Sequence, residues 1–145
     1  MGVAVKRVYE KPARADGNRV LVDRLWPRGL AKEKAAVHVW LRELAPSDTL
    51  RRSLHENPES WPLFRRRYLK ELSLPEASEA LDKLQTLAEG ARQLTLLFAS
   101  KDEKHNNAVV LRDLLDGMRK PPTGTGPGAI GAMSERQRKR MRRPS

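Results

Sequence analysis

An uninterrupted apolar run late in the chain constrains the fold more than any other feature. Residues 93–99 read Gln-Leu-Thr-Leu-Leu-Phe-Ala, with polar residues on both sides of the run. A strand buried on both faces gives this pattern, whereas a strand with one solvated face alternates apolar and polar side chains. Such strands belong to parallel sheets covered by helices, so the run predicts an α/β domain.

Two further strands are predicted near the amino terminus. Residues 3–9 alternate loosely and include β-branched side chains, and residues 19–26 form an apolar run that ends in charge. Asp16, Gly17 and Asn18 are turn-forming residues that separate the two segments.

Four helices are predicted from apolar spacing and from end signals. The first covers residues 48–55, and the second, residues 58–72, carries aromatic side chains at three- and four-residue spacing. A third runs from Pro75 to Gly90, and the last, residues 105–115, is expected to close at Gly117. Together the elements predict a three-layer α/β fold, Rossmann-like or flavodoxin-like, with a mostly parallel sheet flanked by helices.

Positive charge is concentrated beyond the predicted fold. The chain carries a formal charge of +11, and the residues from Arg119 onward contribute eight cations against one acid, Glu135. Residues 121–128 are rich in proline and glycine and predict a linker. We therefore expect an α/β domain over residues 1–117 and a disordered linker and basic tail over 118–145. Six cations of the tail are suited to non-specific contact with nucleic acid: Arg136, Arg138, Lys139, Arg140, Arg142 and Arg143.

Composition and missing motifs exclude several classes of protein. The chain of 145 residues has no cysteine, so we predict no disulfide and, with only three histidines, no metal site. No apolar stretch is long enough to span a bilayer, and the amino terminus lacks a signal-peptide core, so we expect a cytoplasmic protein without membrane contact. No phosphate-binding glycine loop is present, and the sequence identifies no cofactor.

Several short motifs in a fixed order carry a family resemblance. The chain closely resembles the YeaO-like family, the domain of unknown function 488. The resemblance covers roughly residues 5–115 and implies a compact α/β fold in a small cytoplasmic bacterial protein, without a known substrate, cofactor or catalytic residue. It rests on residues 21–29 (LVDRLWPRG), Trp40, residues 45–47 (APS), Leu50, Arg51, Tyr68, Glu71, Leu72, His105, Asn106 and Ala108.

Polar residues that follow two predicted strands form the leading candidate site. Asp23 and Arg24 lie near the carboxyl end of the second strand, and Arg28 follows in a proline-containing turn. Lys101 and His105 follow the buried strand, and carboxyl ends of parallel strands meet at one edge of a sheet. We expect the cations to bind a phosphate or carboxylate. The alternative is that Asp23 pairs with Arg24, Arg28 or Arg51 to fix a loop, as a structural ion-pair network.

Two of these residues are candidates for proton transfer. His105 is the acid–base candidate because imidazole side chains in general can exchange a proton near neutrality, and Asp23 or Asp102 is suited to orient it or to act as the base. Asn106 is predicted to position the ligand. The structural alternative is that His105 and Asn106 cap the last helix.

The start of the first predicted helix offers a second anion site. Free amides near Ser47 and the guanidinium of Arg51, one turn onward, favour negative charge. Helix capping alone is the simpler explanation of Ser47.

Three functional hypotheses remain open from the sequence. The first is an anion-binding site, with the protein acting as an enzyme on a small anionic substrate. The second is a nucleic-acid-associated or regulatory binding module that uses the basic tail. The third is a structural or interaction protein in which Trp26, Trp40 and Trp61 anchor the core.

Overall fold

Four parallel strands form the single sheet of the described chain. A computed structural model describes residues 2–119. Strands β1 (Gly2–Arg7), β2 (Asn18–Leu21), β3 (Val39–Trp40) and β4 (Gln93–Phe98) lie in the order β1-β4-β2-β3. Every neighbouring pair is parallel, which confirms the predicted parallel α/β class. β1 lies at an edge, whereas Rossmann and flavodoxin sheets place their first strand inside, so the strand order is distinct from both.

Five helices connect and cover the strands. They are α1 (Lys32–Ala35), α2 (Asp48–Glu56), α3 (Trp61–Glu71), α4 (Pro75–Glu89) and α5 (Asn107–Arg119). Local chemistry sets several of their ends: the Ser47 hydroxyl caps α2, Pro75 opens α4, and Gly90 follows its last residue.

β4 is the centre of the core, as the apolar run predicts. Its side chains alternate between two apolar clusters because successive residues of a strand point to opposite faces. Leu94, Leu96 and Phe98 pack into the larger cluster with α2 to α5, while Leu97 packs into a smaller cluster with Ala35 of α1. The predicted burial on both faces is confirmed, with the longer helices on one face.

The connection from β1 to β2 crosses the sheet without an α-helix and contains only a short 3₁₀ helix, Arg14–Asp16. β4 lies between these two parallel strands, so residues 8–17 must lead the chain back to the amino end of the sheet. A buried ion pair anchors this segment: Arg19, 2% exposed, donates to Asp16 at 2.5 Å, and Lys6 reaches the same carboxylate at 3.0 Å. The Thr95 hydroxyl donates to the carbonyl of Asp16 at 2.7 Å. These polar contacts hold the segment before β2 against β1 and β4.

Some predicted boundaries differ from the structure. β2 ends at Leu21, whereas the predicted strand continued to residue 26. The N–H of Val22 still donates to the carbonyl of Leu97, and residues 23–25 then form a bend. The predicted helix over 58–72 begins as a 3₁₀ turn, Pro58–Ser60, before α3. Gly117 does not close the last helix, since α5 continues to Arg119 and Met118 packs against the larger core. The predicted linker and basic tail otherwise lie outside the described residues.

Candidate functional site

A cavity opens at the carboxyl ends of β2 and β4. Its volume is about 670 Å³, and most of its wall surface is apolar. The ends of the two strands supply the inner wall, and α2 and the segment before α5 supply the sides. Six of the eight residues predicted to bind or act on a ligand line this cavity: Asp23, Arg24, Arg51, Lys101, His105 and Asn106. Asp102, predicted as an alternative partner of His105, lines it as well.

Asp23 occupies the inner wall, where two protein groups hold its carboxyl group. The backbone N–H of Ala99, just past β4, donates to Oδ2 at 2.8 Å. The side-chain amide of Asn107, the first residue of α5, donates to Oδ1 at 3.2 Å. The indole N–H of Trp40 binds the backbone carbonyl of Asp23 at 2.7 Å. Three separate elements therefore fix this residue at the strand ends.

Burial raises the pKa of Asp23 above the usual value for an aspartate. The hydrogen bonds from Ala99 and Asn107 and the charge of Arg51 act in the opposite direction, but burial outweighs them. Within the described part of the chain, no cation lies within ion-pair distance of this carboxyl group. The carboxylate is held in place without a neutralising partner.

The rim of the cavity carries three cations. Arg24 and Arg51 are 56% and 60% exposed, and both approach the carboxylate of Asp48, at 3.2 and 3.7 Å. Lys101 is exposed and forms no ion pair with any residue in the range 2–118. The alternative in which Asp23 pairs with Arg24, Arg28 or Arg51 is not what the structure shows, because Asp48 takes two of these guanidinium groups.

His105 faces the side of the cavity rather than its inner wall. Its Nδ1 lies 3.5 Å from Asp102 Oδ2, and its ring lies against Trp61 with 4.9 Å between the ring centroids. Partial burial acts to raise the pKa of Asp102, but the backbone N–H groups of His105 and Lys104 and the nearby imidazole together lower it. The predicted partnership of His105 with Asp102 is therefore present in the geometry. Within the described part of the chain, His105 forms neither a hydrogen bond nor an ion pair with Asp23.

Asn106 and Asn107 begin α5 and serve structural contacts. Asn106 accepts the backbone N–H of Val109 at 3.0 Å and donates to the carbonyl of Asp102 at 2.8 Å, so it caps the helix. Asn107 donates to the carbonyl of Val22 at 2.9 Å as well as to Asp23. The capping alternative describes Asn106 correctly. The contact of Asn107 with Asp23 was not predicted, because it joins residues 84 positions apart.

Ser47 and Arg28 lie outside the cavity lining. The backbone N–H and hydroxyl of Ser47 donate to the carboxylate of Glu71 at 2.8 and 2.6 Å. The start of α2 thus already holds an anion that the protein supplies itself, at the place where the sequence predicts a ligand. Arg28 is exposed in the turn after β2, and its backbone carbonyl accepts the Tyr9 hydroxyl at 3.0 Å. These two predicted ligand-binding residues do not join the other six.

The remaining lining residues are mainly apolar. Phe64 stacks on Trp61 with 5.5 Å between the ring centroids. His55, on α2, adds an exposed imidazole. Among residues 2–119, no three histidine or acidic side chains converge as a metal site. The other apolar members of the wall are Ala45, Pro46, Leu54, Pro58 and Ala99.

The fold and the cavity define a small parallel α/β domain with a mostly apolar pocket, bearing charged residues at its rim, at the carboxyl edge of its sheet. A family model described as "Inactive DUF488-N3 subclade" matches residues 2–123. The uncharacterized protein YeaO of Escherichia coli is 40% identical over 117 residues, covering 79% of this chain and 97% of that protein. The uncharacterized protein Rv3073c of Mycobacterium tuberculosis is 41% identical over 115 residues, covering 79% and 94%. The chain belongs to the YeaO-like DUF488 family, as its motifs predict.

Two negative findings accompany the family assignment. No solved structure matches the chain. None of the helices described over residues 2–119 has both the length and the hydropathy needed to cross a bilayer. The proposed role of the basic tail in nucleic-acid contact stays a prediction, because its six cations lie outside the described residues.

Proposed function

We propose that this protein binds a small anionic molecule in the cavity at the carboxyl ends of β2 and β4. The observation that carries the proposal is the cationic rim, formed by Arg24, Arg51 and Lys101. Asp48 alone faces two of these cations, so their charge is only partly neutralised within the protein. Guanidinium groups favour carboxylate and phosphate because their planar donors match the geometry of these anions.

The cavity walls indicate that the ligand also has an apolar part. Leu54, Phe64 and Pro46 contribute to a wall that is mostly apolar, and a ligand covering them removes this surface from water. The volume of about 670 Å³ lies in the range of pockets that enclose a small organic molecule. An inorganic anion alone leaves most of this space unfilled.

The proposal assigns binding rather than catalysis as the principal role. His105 lies against Asp102 and Trp61. Among the described residues, it forms no hydrogen bond or ion pair with the Asp23 carboxyl group. The family model is described as an inactive subclade, and this description also favours a binding role. The proton-transfer roles predicted for Asp23 and His105 stay predictions.

Isothermal titration of the full chain tests the proposal. Caproate and inorganic phosphate are titrated separately into the wild-type protein, the Arg51→Ala variant and the Arg52→Ala variant. Arg52 is the matched control, because it is an exposed arginine of the same helix and does not line the cavity. Loss of a charged hydrogen bond of about 1.5 to 3 kcal/mol predicts at least about a tenfold weaker affinity for Arg51→Ala.

The control sets the opposite expectation. Arg52→Ala should keep the wild-type affinity within about twofold, since a remote surface charge acts only through screened, long-range attraction. Saturable binding of neither anion, or equal losses in the two variants, contradicts the proposed function.

A further inference from the structure

We propose that the ligand of this cavity is dipolar, with an anionic group at the rim, a protonated nitrogen at Asp23, and an apolar segment between them. The inference rests on the proposed function and names the chemical class of its ligand. Two features of the cavity carry it: the unneutralised carboxyl group of Asp23 on the inner wall, and the exposed guanidinium groups of Arg24 and Arg51 at the rim.

The carboxyl group of Asp23 has unused capacity to accept hydrogen bonds. An ionised carboxylate has about four acceptor positions on its two oxygens. Ala99 fills one position on Oδ2 and Asn107 fills one on Oδ1. The described residues therefore leave about one lone pair on each oxygen, and the residue lines the cavity. A ligand N–H donor is the complementary group.

Asp16 is a useful comparison, because it is a buried acid with a purely structural role. Its carboxylate contacts two cations, Lys6 at 3.0 Å and Arg19 at 2.5 Å, and accepts the backbone N–H of Ala13 at 2.9 Å. These partners lower the pKa of Asp16 even though burial acts to raise it. Asp23 is also held by hydrogen bonds, but among the described residues no cation lies at ion-pair distance from its carboxyl group. A ligand ammonium group supplies the missing charge.

The cavity that contains the two polar ends also has apolar walls. The inner wall is formed at the strand ends, while Arg51 projects from α2 at the rim and is 60% exposed. Leu54, one turn further along α2, and Phe64 of α3 line the space with apolar surface. A short hydrocarbon or an aromatic ring is suited to this region.

Two matched sets of three compounds test the inference on the wild-type chain, without any substitution. The flexible set is ε-aminocaproate, caproate and hexylamine. The rigid set is para-(aminomethyl)benzoate, para-toluate and para-methylbenzylamine. Each set compares a compound bearing both charges with the same skeleton bearing the acid alone or the amine alone. Affinities are measured by isothermal titration at pH 8, where the amines are protonated.

The expected result is that the dipolar member of at least one set binds about tenfold to a hundredfold more tightly than its acid-only analogue, the value of one charged hydrogen bond. In the Asp23→Asn variant this advantage should disappear, while affinity for the acid-only compound persists. Thermal unfolding checks that this variant folds, because asparagine replaces one acceptor with a donor facing Ala99 or Asn107. If it does not fold, the wild-type comparison alone decides.

Two failures can be told apart. If the acids bind at the rim but the added amine gives no advantage in either set, the dipolar ligand is refuted and the proposed anion-binding function stands. If none of the acids binds saturably, the proposed function itself fails. Equal advantage of the amine in wild-type and Asp23→Asn proteins also overturns the inference, because the nitrogen then binds elsewhere.

Discussion

Gly17 is the residue at which the crossover from β1 to β2 depends most directly on the absence of a side chain. It adopts φ +64° and ψ −131°, a conformation that L-residues rarely take. A Cβ atom at this position would lie 2.2 Å from the backbone oxygen of Gln93 and 2.9 Å from its carbonyl carbon. Gln93 begins β4 and pairs with Gly2 of β1, so its backbone cannot move without disturbing the sheet.

The Gly17→Ala variant is predicted to lose about 2 to 6 kcal/mol of unfolding free energy. Backbone strain contributes about 1 to 3 kcal/mol, and displacement of packed atoms contributes a similar amount. The total stability of a typical domain is about 5 to 15 kcal/mol, so the loss is large enough to measure by urea denaturation.

Gly29→Ala is the matched control for this experiment. Gly29 also has a positive φ, +76°, but no atom lies within 4 Å of the position its Cβ would take. We expect only the conformational cost, about 1 to 2 kcal/mol. Equal losses in the two variants would show that the contact with Gln93 does not limit the fold. A loss below about 1 kcal/mol for Gly17→Ala would refute the reasoning altogether.

Two further predictions concern Asp16, which precedes β2, and Asp23, which follows it. The pKa of Asp16 is lowered in the folded protein, so its contribution to stability is present above its unfolded pKa and is lost as the pH falls through its folded pKa. Asp16→Asn should cost about 3 to 5 kcal/mol at neutral pH, because it leaves the buried Arg19 without its anion, and should flatten the acid dependence of urea unfolding. Asn107→Ala removes a donor to Asp23, so the pKa of Asp23, measured by carboxyl carbon NMR, should rise further, with a stability cost of about 1 to 3 kcal/mol.

Each of these predictions has a result that would contradict it. An unchanged acid dependence in Asp16→Asn would mean that other carboxylates control stability below neutral pH. An unchanged or lower pKa of Asp23 in Asn107→Ala would mean that the hydrogen bond from Asn107 does not stabilise the charged form.

The elements that could be predicted from the sequence are those whose buried faces produce a regular pattern of apolar residues. The apolar run at 93–99 identified β4 and its burial on both faces, and three- and four-residue spacing identified α4. β3 has two residues and α1 four, too few for any period to show. The β1–β4–β2 order was not predictable, because strand pairing depends on contacts between residues far apart in the chain, such as that of the Thr95 hydroxyl with the carbonyl of Asp16.

The candidate site was predicted in part for the same reason. Residues that directly follow strands, such as Asp23 and Lys101, lie where the geometry of a parallel sheet requires them. The position of a residue in a turn cannot be predicted in this way, and Arg28 is exposed and does not line the cavity. Ser47 was placed correctly at a helix start, but no sequence pattern indicated that Glu71 of another helix supplies its anion.

Chemical-shift mapping of backbone amides during titration with para-toluate tests the central claim most directly. The account predicts saturable shifts at Arg24, Arg51 and Lys101, together with Ala99 at the end of β4, and their loss in Arg51→Ala. Shifts that do not saturate, or saturable shifts confined to residues outside the cavity, would contradict the claim that this cavity is an anion-binding site.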